Sequence, residues 1–596
     1  MPDAVSSDSP VASPALSHSR KTTLRDRFNR TNLIAAIVIC AGATLIFLPI
    51  IIRGFPNGED AYVHYRWAAE FKAALGEGVS LYPRWLGLAN NGAGSPTMLY
   101  YPPLPFFVTA AFDFLLGDTP RALSLSCWLA TALAGAAMFV FSRRLVSPRW
   151  ALAAALFYMA APYAVFDLYQ RSALSEYWAF AWLPLILDAT CRVAERTGLR
   201  AIRAIAYLSA SYAALLVTHL PLAFAVTMLL PVFALALTRQ LKPLLRLAAG
   251  SLFGAGLSAV YLLPVLVERG YVRADRALRI RYVNYFLFEH LGSAFRAPLF
   301  PGVDERRFVV VEGTTLVALS LPVLLALSLL VIFRLRRSAL AVAAKRQLVA
   351  LFIIAVLSLL MTTRLSSFIW KAVPQLPYLQ FPFRWLVIAT AATCLLMIVA
   401  VAALFPLNKT GAALLIVFVM AIGFGLRMSL LAMTRASYDR AQFEAGLSEI
   451  EVPEYRPVWW SKQKHVDTSK PDEFASSPIL VHQGQASVDA IDDEGMQQSY
   501  GILATSEATL ILRTLYFPGW MARLDGQPVP IEPSDDGNIQ LTVSPGIHHL
   551  SLAFTDTPPR RIGDFISNLV LWMLIGLLVG ETLNHRRRVR AAASTG

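Results

Sequence analysis

Residues 31–67 read TNLIAAIVICAGATLIFLPIIIRGFPNGEDAYVHYRW. The apolar run from about Thr31 to Ile52 is long enough to cross a bilayer. It is followed by a polar turn holding two adjacent carboxylates, Glu59 and Asp60. Arg20, Lys21, Arg25, Arg27 and Arg30 precede the run, so its start belongs on the cytoplasmic side and the carboxylates emerge on the outer face. Asp60 and His64 are four residues apart, on one face of a helix that starts here. The positive end of that helix's dipole favours carboxylates at its start. No small-residue cleavage site follows the run, so the reading is a retained span and not a removed signal peptide.

The rest of the chain repeats this grammar. Of 596 residues, 56% are hydrophobic and 15% charged, and the mean hydropathy is +0.52. A soluble chain carries closer to a quarter charged residues, so the class is polytopic α-helical membrane protein. The net charge of +14 sits mainly in short loops between apolar runs. That is an orientation signal and not a nucleic-acid footprint. Cys40, Cys127, Cys191 and Cys394 lie far apart in or beside apolar runs and read as small buried hydrophobes, not ligands.

Taken in order, the basic loops give about 12 crossings. After the first come spans near Ala122–Phe141, Trp150–Phe166 and Tyr177–Thr190. Two more meet outside at His219, and another exits near Pro264. The remainder lie near Thr314–Phe333, Leu348–Thr362, Leu386–Leu404, Gly411–Leu431 and Ile566–Leu583. Leu104–Leu116 is short for a crossing and would place Arg143, Arg144 and Arg149 outside, so it reads as an interfacial or re-entrant helix. The expected parts are a disordered cytoplasmic tail (1–30), a transmembrane domain (31–431) with a first outer loop (53–121), an extracytoplasmic β-rich domain (432–564), and a last helix with a basic cytoplasmic tail (565–596). The β reading rests on period-two stretches such as ATLILRTLYFPGW and GNIQLTVSPGIHHLSLAF, punctuated by Asp-Gly and Pro-Gly.

Ionisable side chains beside spans are costly unless partnered or functional, so those on the outer face are the candidates. Glu59 and Asp60 read either as a solvated helix start, as a general base, or as hard oxygen ligands for a divalent cation. His64 is either a satisfied structural residue or the orienter of Asp60 through a hydrogen bond. Arg171 and Glu176, in QRSALSEYW, form either an ion pair between span ends or contacts to a sugar, and His219 in VTHLPL divides the same way. Arg384, in LQFPFRW, suits a phosphate held bidentately, or a side chain snorkelling to headgroups. Phosphate-loop, HExxH, CxxC and GxSxG motifs are missing, which argues against nucleotide-driven, zinc-hydrolase and serine-hydrolase chemistry.

The order of an N-terminal span, an acidic outer loop, PRW…YPPLPF and an Arg-rich return resembles the GT-C superfamily of lipid-phosphate-sugar-dependent glycosyltransferases. GEDAYVHYRW, QRSALSEYWA, THLPLA, LQFPFRW and LYFPGWMARLDGQPVPI more closely resemble bacterial YfhO-like proteins and membrane proteins named for a 6-pyruvoyl-tetrahydropterin synthase-related domain. The pterin name implies a zinc-dependent synthase, for which this sequence offers no compact histidine cluster. The GT-C resemblance implies inverting transfer of a sugar from a polyprenyl-phosphate donor to an extracytoplasmic acceptor, at the outer face of a bacterial cytoplasmic membrane. The family's first-loop base falls on Asp60, with Glu59 its competitor, and the phosphate-binding cation falls on Arg384. Both termini are then cytoplasmic, membrane lipids are partners, and a divalent cation stays open. The alternatives are a lipid-sugar flippase and a non-catalytic envelope assembly protein.

Overall fold

A computed structural model describes residues 30–78, 80–274, 282–288, 314, 318–335, 341–404, 453–460, 474, 477–492 and 495–594. The opening apolar run forms one helix, Arg30–Arg53. It packs beside Thr119–Ser142, where Ala130, Ala134 and Ala137 are buried. Without water to drive helices together inside a bilayer, close packing through small residues does so. Gly135 makes the point: a β-carbon there would meet the Met159 sulfur at 2.3 Å.

Among the described residues seven helices are long and apolar enough to cross a membrane, or eight when Leu241–Leu257 and Ala259–Tyr271, bent by 78°, count as one span. The expected count of about twelve is not confirmed among the described residues. Leu174–Glu195 and Leu199–Leu216 are helices of 22 and 18 residues, but Glu176, Asp188 and Arg192 in one and Arg200 and Arg203 in the other dilute their apolar character. Ser320–Leu329 is apolar but short. The expected span at 411–431 lies outside the described residues, as does most of the outer segment expected at 268–313. Leu104–Leu116 is a helix of 13 residues ending at Gly117, whose φ of 63° closes it with a left-handed turn. Its last turn leaves Phe114, Leu115 and Leu116 exposed.

Among the described residues nine strands follow: β1 (Ile479–Gln483), β2 (Ala486–Asp492), β3 (Gln497–Ala504), β4 (Ala508–Leu515), β5 (Trp520–Leu524), β6 (Gln527–Val529), β7 (Glu532–Pro533), β8 (Asn538–Val543) and β9 (Gly546–Phe554). They form two antiparallel sheets, ordered β1-β4-β8-β7 and β2-β3-β9-β5-β6. Alternate residues face inward. Tyr500, Ile502, Leu510, Leu512, Leu541, Leu550 and Leu552 make the shared core. Asp525 and Gly526, at φ 51° and 80°, join β5 to β6 through the tight turn that Asp-Gly favours.

This sandwich is docked on the loop that follows the first helix. Trp85 is buried against Trp520, Phe554 and Phe517. Arg84 pairs with Asp556 at 2.8 Å and Asp564 at 3.2 Å. Glu268 pairs with Arg560 at 2.9 Å. The Met496 amide donates to the Glu77 carboxylate at 3.1 Å. These contacts fix the loop that carries Glu59 and Asp60.

Candidate functional site

The site begins with backbone. The turn before helix Ala61–Gly76 lies against the segment 170–172: the Glu59 amide donates to Gln170 O at 3.2 Å and the Asp60 amide to Arg171 O at 2.8 Å. Gly58 makes this approach possible, because a β-carbon there would meet Ser172 Oγ at 2.4 Å and Gln170 O at 2.8 Å. Ser172 in turn adopts φ 51°, a left-handed conformation costly for a residue with a side chain. Its hydroxyl accepts from the Gly58 amide and donates to Pro56 O, both at 3.1 Å.

Segment 167–171 is a π-helical turn, a local irregularity often associated with functional positions. It brings Asp167 under Arg171. Arg171 Nη1 donates to Asp167 Oδ1 at 2.6 Å and to Glu176 Oε2 at 2.8 Å. The same Glu176 oxygen receives Arg384 Nε at 3.3 Å, while Tyr163 donates to Oε1 at 2.7 Å. Glu176 is thus the hub of a buried network. Arg384 Nη1 donates to Leu379 O at 2.7 Å and to Gln380 Oε1 at 3.1 Å, with Gln380 held at φ 62°. Phe383 backs Arg171 and Phe381 backs Arg384, with ring-to-guanidinium separations of 4.9 and 5.1 Å; these rings stack on each other at 4.9 Å.

The two motif carboxylates differ. Glu59 Oε2 lies 3.9 Å from Arg171 Nε, with 46% of the Glu59 side chain open to solvent. Crowding by protein raises its pKa, Asp60 adds to the rise, and Arg171 and Arg384 oppose it; solvent on the open side tempers the effect. Asp60 precedes the helix, yet its side chain makes no capping bond. Among the described residues its carboxylate has neither a hydrogen bond nor an ion pair. The simple capping interpretation of Asp60 therefore fails.

Three expectations change. His64 does not hold Asp60 by a hydrogen bond: its Nδ1 lies 2.9 Å from Ser172 O and its Nε2 3.0 Å from Tyr101 Oη. A carbonyl only accepts, so Nδ1 carries the proton and Nε2 accepts from the tyrosine. Burial lowers the His64 pKa, against an opposing pull from Asp60. Arg384 cannot take a phosphate through two of its nitrogens, because Nε and Nη1 are committed. Nη2 is the nitrogen without a hydrogen bond among the described residues. For Arg171 and Glu176 the geometry gives the ion pair, at 1% and 2% exposure, with no open face on Glu176 for a sugar.

His219 serves as the N-cap of helix Leu220–Leu237, its Nδ1 accepting from the Leu222 amide at 3.2 Å. Burial and the nearby Arg384 push its pKa down to about 3. Asp167 has no counterpart among the sequence candidates, nor do Gln380 and Tyr101. The available clue to Asp167 was its spacing of four residues from Arg171 in DLYQR. Among the described residues no group of three or more His, Cys, Asp or Glu is placed to hold a metal.

Residues 98–433 match the family model of the 6-pyruvoyl-tetrahydropterin synthase related domain, described as a membrane protein. No curated relative matches the chain. Among solved structures it is similar to the mycobacterial arabinofuranosyltransferase AftD, at 16% identity and a TM-score of 0.40 over 69% of this chain and 27% of that one. The oligosaccharyltransferase of Archaeoglobus fulgidus shows 11% identity and a TM-score of 0.42 over 74% of this chain and 62% of that one. ArnT from Cupriavidus metallidurans, bound to undecaprenyl phosphate, shows 14% identity and a TM-score of 0.30 over 63% and 78%. The chain thus spans less than two thirds of the first two chains. Likeness at this level assigns neither activity nor residues.

Proposed function

The chain belongs to the 6-pyruvoyl-tetrahydropterin synthase related family of membrane proteins, and from that premise we propose that it is a GT-C type glycosyltransferase. It moves a sugar from a polyprenyl-phosphate donor to a cell-envelope glycan, lipid or protein at the outer face of the bacterial cytoplasmic membrane. The observation that carries this reading is the uncommitted Asp60 carboxylate, held by backbone bonds beside a buried arginine network. The motif order of the sequence supplies the reaction class.

In the proposed reaction Asp60 takes the proton of an acceptor hydroxyl, and the oxygen forms a bond to the anomeric carbon. The bond from that carbon to the phosphate oxygen breaks, and the lipid phosphate leaves with the electron pair. Attack opposite the leaving group inverts the anomeric centre. A phosphate leaves without protonation, so a base and a cation suffice. Arg384 Nη2 stabilises the departing charge from one side, while Glu176 fixes the guanidinium plane. Glu59 faces Arg171 and is the second carboxylate beside the base. The β-rich domain acts as an acceptor-binding or lid module over the first outer loop.

A pterin synthase reading has no support from a metal cluster among the described residues. A flippase reading is favoured by one observation: the span Pro148–Arg171 breaks at Ala160 and Ala161, ends in a π turn and carries the buried Asp167 and Arg171. Interrupted helices with buried charge suit transport. Reconstitution separates the two. Purified protein in vesicles with polyprenyl-phosphate sugars is expected to glycosylate a co-supplied envelope acceptor, with Asp60→Asn inactive but folded. Lipid-sugar translocation without any glycosylated product would overturn the enzyme reading.

A further inference from the structure

Tyr455 lies in the short segment 453–460 that leads toward the β-rich domain, and it reaches the site from there. The segment is tied to the sandwich: Trp459 packs edge-on to Tyr516 at 5.0 Å, and the Trp459 carbonyl lies so close to Gly537 that a β-carbon there would meet it at 2.6 Å. The Tyr455 ring stacks on Tyr100 at 6.3 Å and meets Trp67 at 6.1 Å and Tyr101 at 6.4 Å. Trp67 in turn packs edge-on to Tyr101 at 4.7 Å. Tyr101 is therefore gripped from both sides of the joint, by Tyr455 on one and by Trp67 and Phe106 on the other. Its hydroxyl donates to His64 Nε2, and His64 Nδ1 donates to Ser172 O.

The recipient of this chain of contacts is the one strained turn that carries Arg171. A left-handed Ser172 persists only if its surroundings over-determine it, and the His64 bond is one of the restraints. Arg171 O, one residue earlier, holds the Asp60 amide.

We propose that His64, Tyr101 and Tyr455 are positioning residues, through which the β-rich domain sets the Arg171–Ser172 turn and hence the spacing between Asp60 and the arginine network. His64 is then neither a base nor a partner of Asp60. Its work is done at a backbone carbonyl 108 residues away in sequence. The inference rests on the proposed function only for what Asp60 and Arg171 go on to do.

Hydrogen exchange on the purified full chain in lipid nanodiscs tests it without donor or acceptor. A failed glycosyl-transfer assay would leave this result standing, and the reverse also holds. The readout is the amides of 168–174 and of Glu59 and Asp60, with helix Leu386–Leu404 as the internal control. His64→Ala is expected to speed exchange in the turn about tenfold, the effect of losing one buried hydrogen bond. His64→Asn, whose amide nitrogen can donate in place of Nδ1, restores protection. Tyr455→Ala speeds exchange at the same amides although it touches none of them, and Tyr455→Phe behaves as the original chain. Unchanged protection in both His64→Ala and Tyr455→Ala would overturn the proposal. If His64→Ala fails to fold, Tyr455→Ala against Tyr455→Phe decides by the same readout.

Discussion

Helix Leu174–Glu195 carries an ionic cluster at each end, and the two are built differently. At its far end Asp188 and Glu195 have every carboxylate oxygen engaged. Arg144 and Arg192 take the two oxygens of Asp188 at 3.3 and 2.7 Å. Arg144 also pairs with Glu195, whose other oxygen receives Gln347 Nε2 at 2.7 Å. Asp188 and Arg192 lie on regular helix at a spacing of four. The cluster around Glu176 instead rests on a π turn, a left-handed Ser172 and a Gln380 at positive φ. Among the described residues it leaves Asp60 unpaired, Asp167 Oδ2 buried without a partner, and Arg384 Nη2 uncommitted. A cluster whose carboxylate oxygens are all engaged is a lock between helices. One that stores backbone strain and keeps a carboxylate in reserve has the features of a site.

Breaking the hubs separates the two most sharply. Glu176→Gln removes the shared partner of two buried arginines, and loss of one member of a buried pair costs about 3–5 kcal/mol. A large fall in thermal stability is expected together with loss of transfer. Asp188→Asn is expected to cost less, about 1–3 kcal/mol, because Arg192 is partly exposed. Transfer per folded molecule should then stay within about twofold of the original chain, since no step requires that end of the helix. A comparable loss of activity in Asp188→Asn would erase the distinction.

Gly58→Ala probes the backbone seam. The added β-carbon collides with Ser172 Oγ and Gln170 O, an overpacking worth about 1–3 kcal/mol. The expected signature is activity lost out of proportion to stability, because the seam sets where Asp60 stands. Titration gives the smallest effect. Burial holds the pKa of His64 below 6.5 in the folded chain, so protonation favours the unfolded state. Stability contributed by neutral His64 is complete above the unfolded value near 6.5 and is lost as pH falls through the window beneath it. As pH falls below 6.5 the original chain should lose stability more steeply than His64→Asn. Parallel melting curves for the two proteins would contradict this.

Much of the outer cluster could be read from sequence. Glu59, Asp60, Arg171, Glu176, His219 and Arg384 are each charged or imidazole-bearing residues at the mouth of an apolar run, and that cost marks them without any fold. Their partners were harder. His64 lies one turn after Asp60, yet its ring is claimed by Ser172 O and Tyr101, which reach it only after three segments pack together. Asp167 sits inside an apolar stretch, and only the π turn aims it at Arg171. The bidentate capacity read into Arg384 disappears because Leu379 O and Gln380 arrive from its own loop. Alternation in β4, β8 and β9 made the strands legible, whereas the docking of Trp85 among Trp520 and Phe554 carries no local pattern. Residue types and periods can be read along a chain; pairing across more than a hundred residues cannot.

The central claim is that chemistry resides at the carboxylate left unpaired, and comparison of two amide substitutions tests it. Initial rates of sugar transfer from a polyprenyl-phosphate donor would be measured for Asp60→Asn and Glu59→Gln in the same vesicles, at matched amounts of folded protein. Asp60→Asn is expected to lose about 10³-fold, within the range for removal of a general base, and Glu59→Gln less than about tenfold. Full activity in Asp60→Asn, or abolition in Glu59→Gln with Asp60→Asn still turning over, would contradict the account.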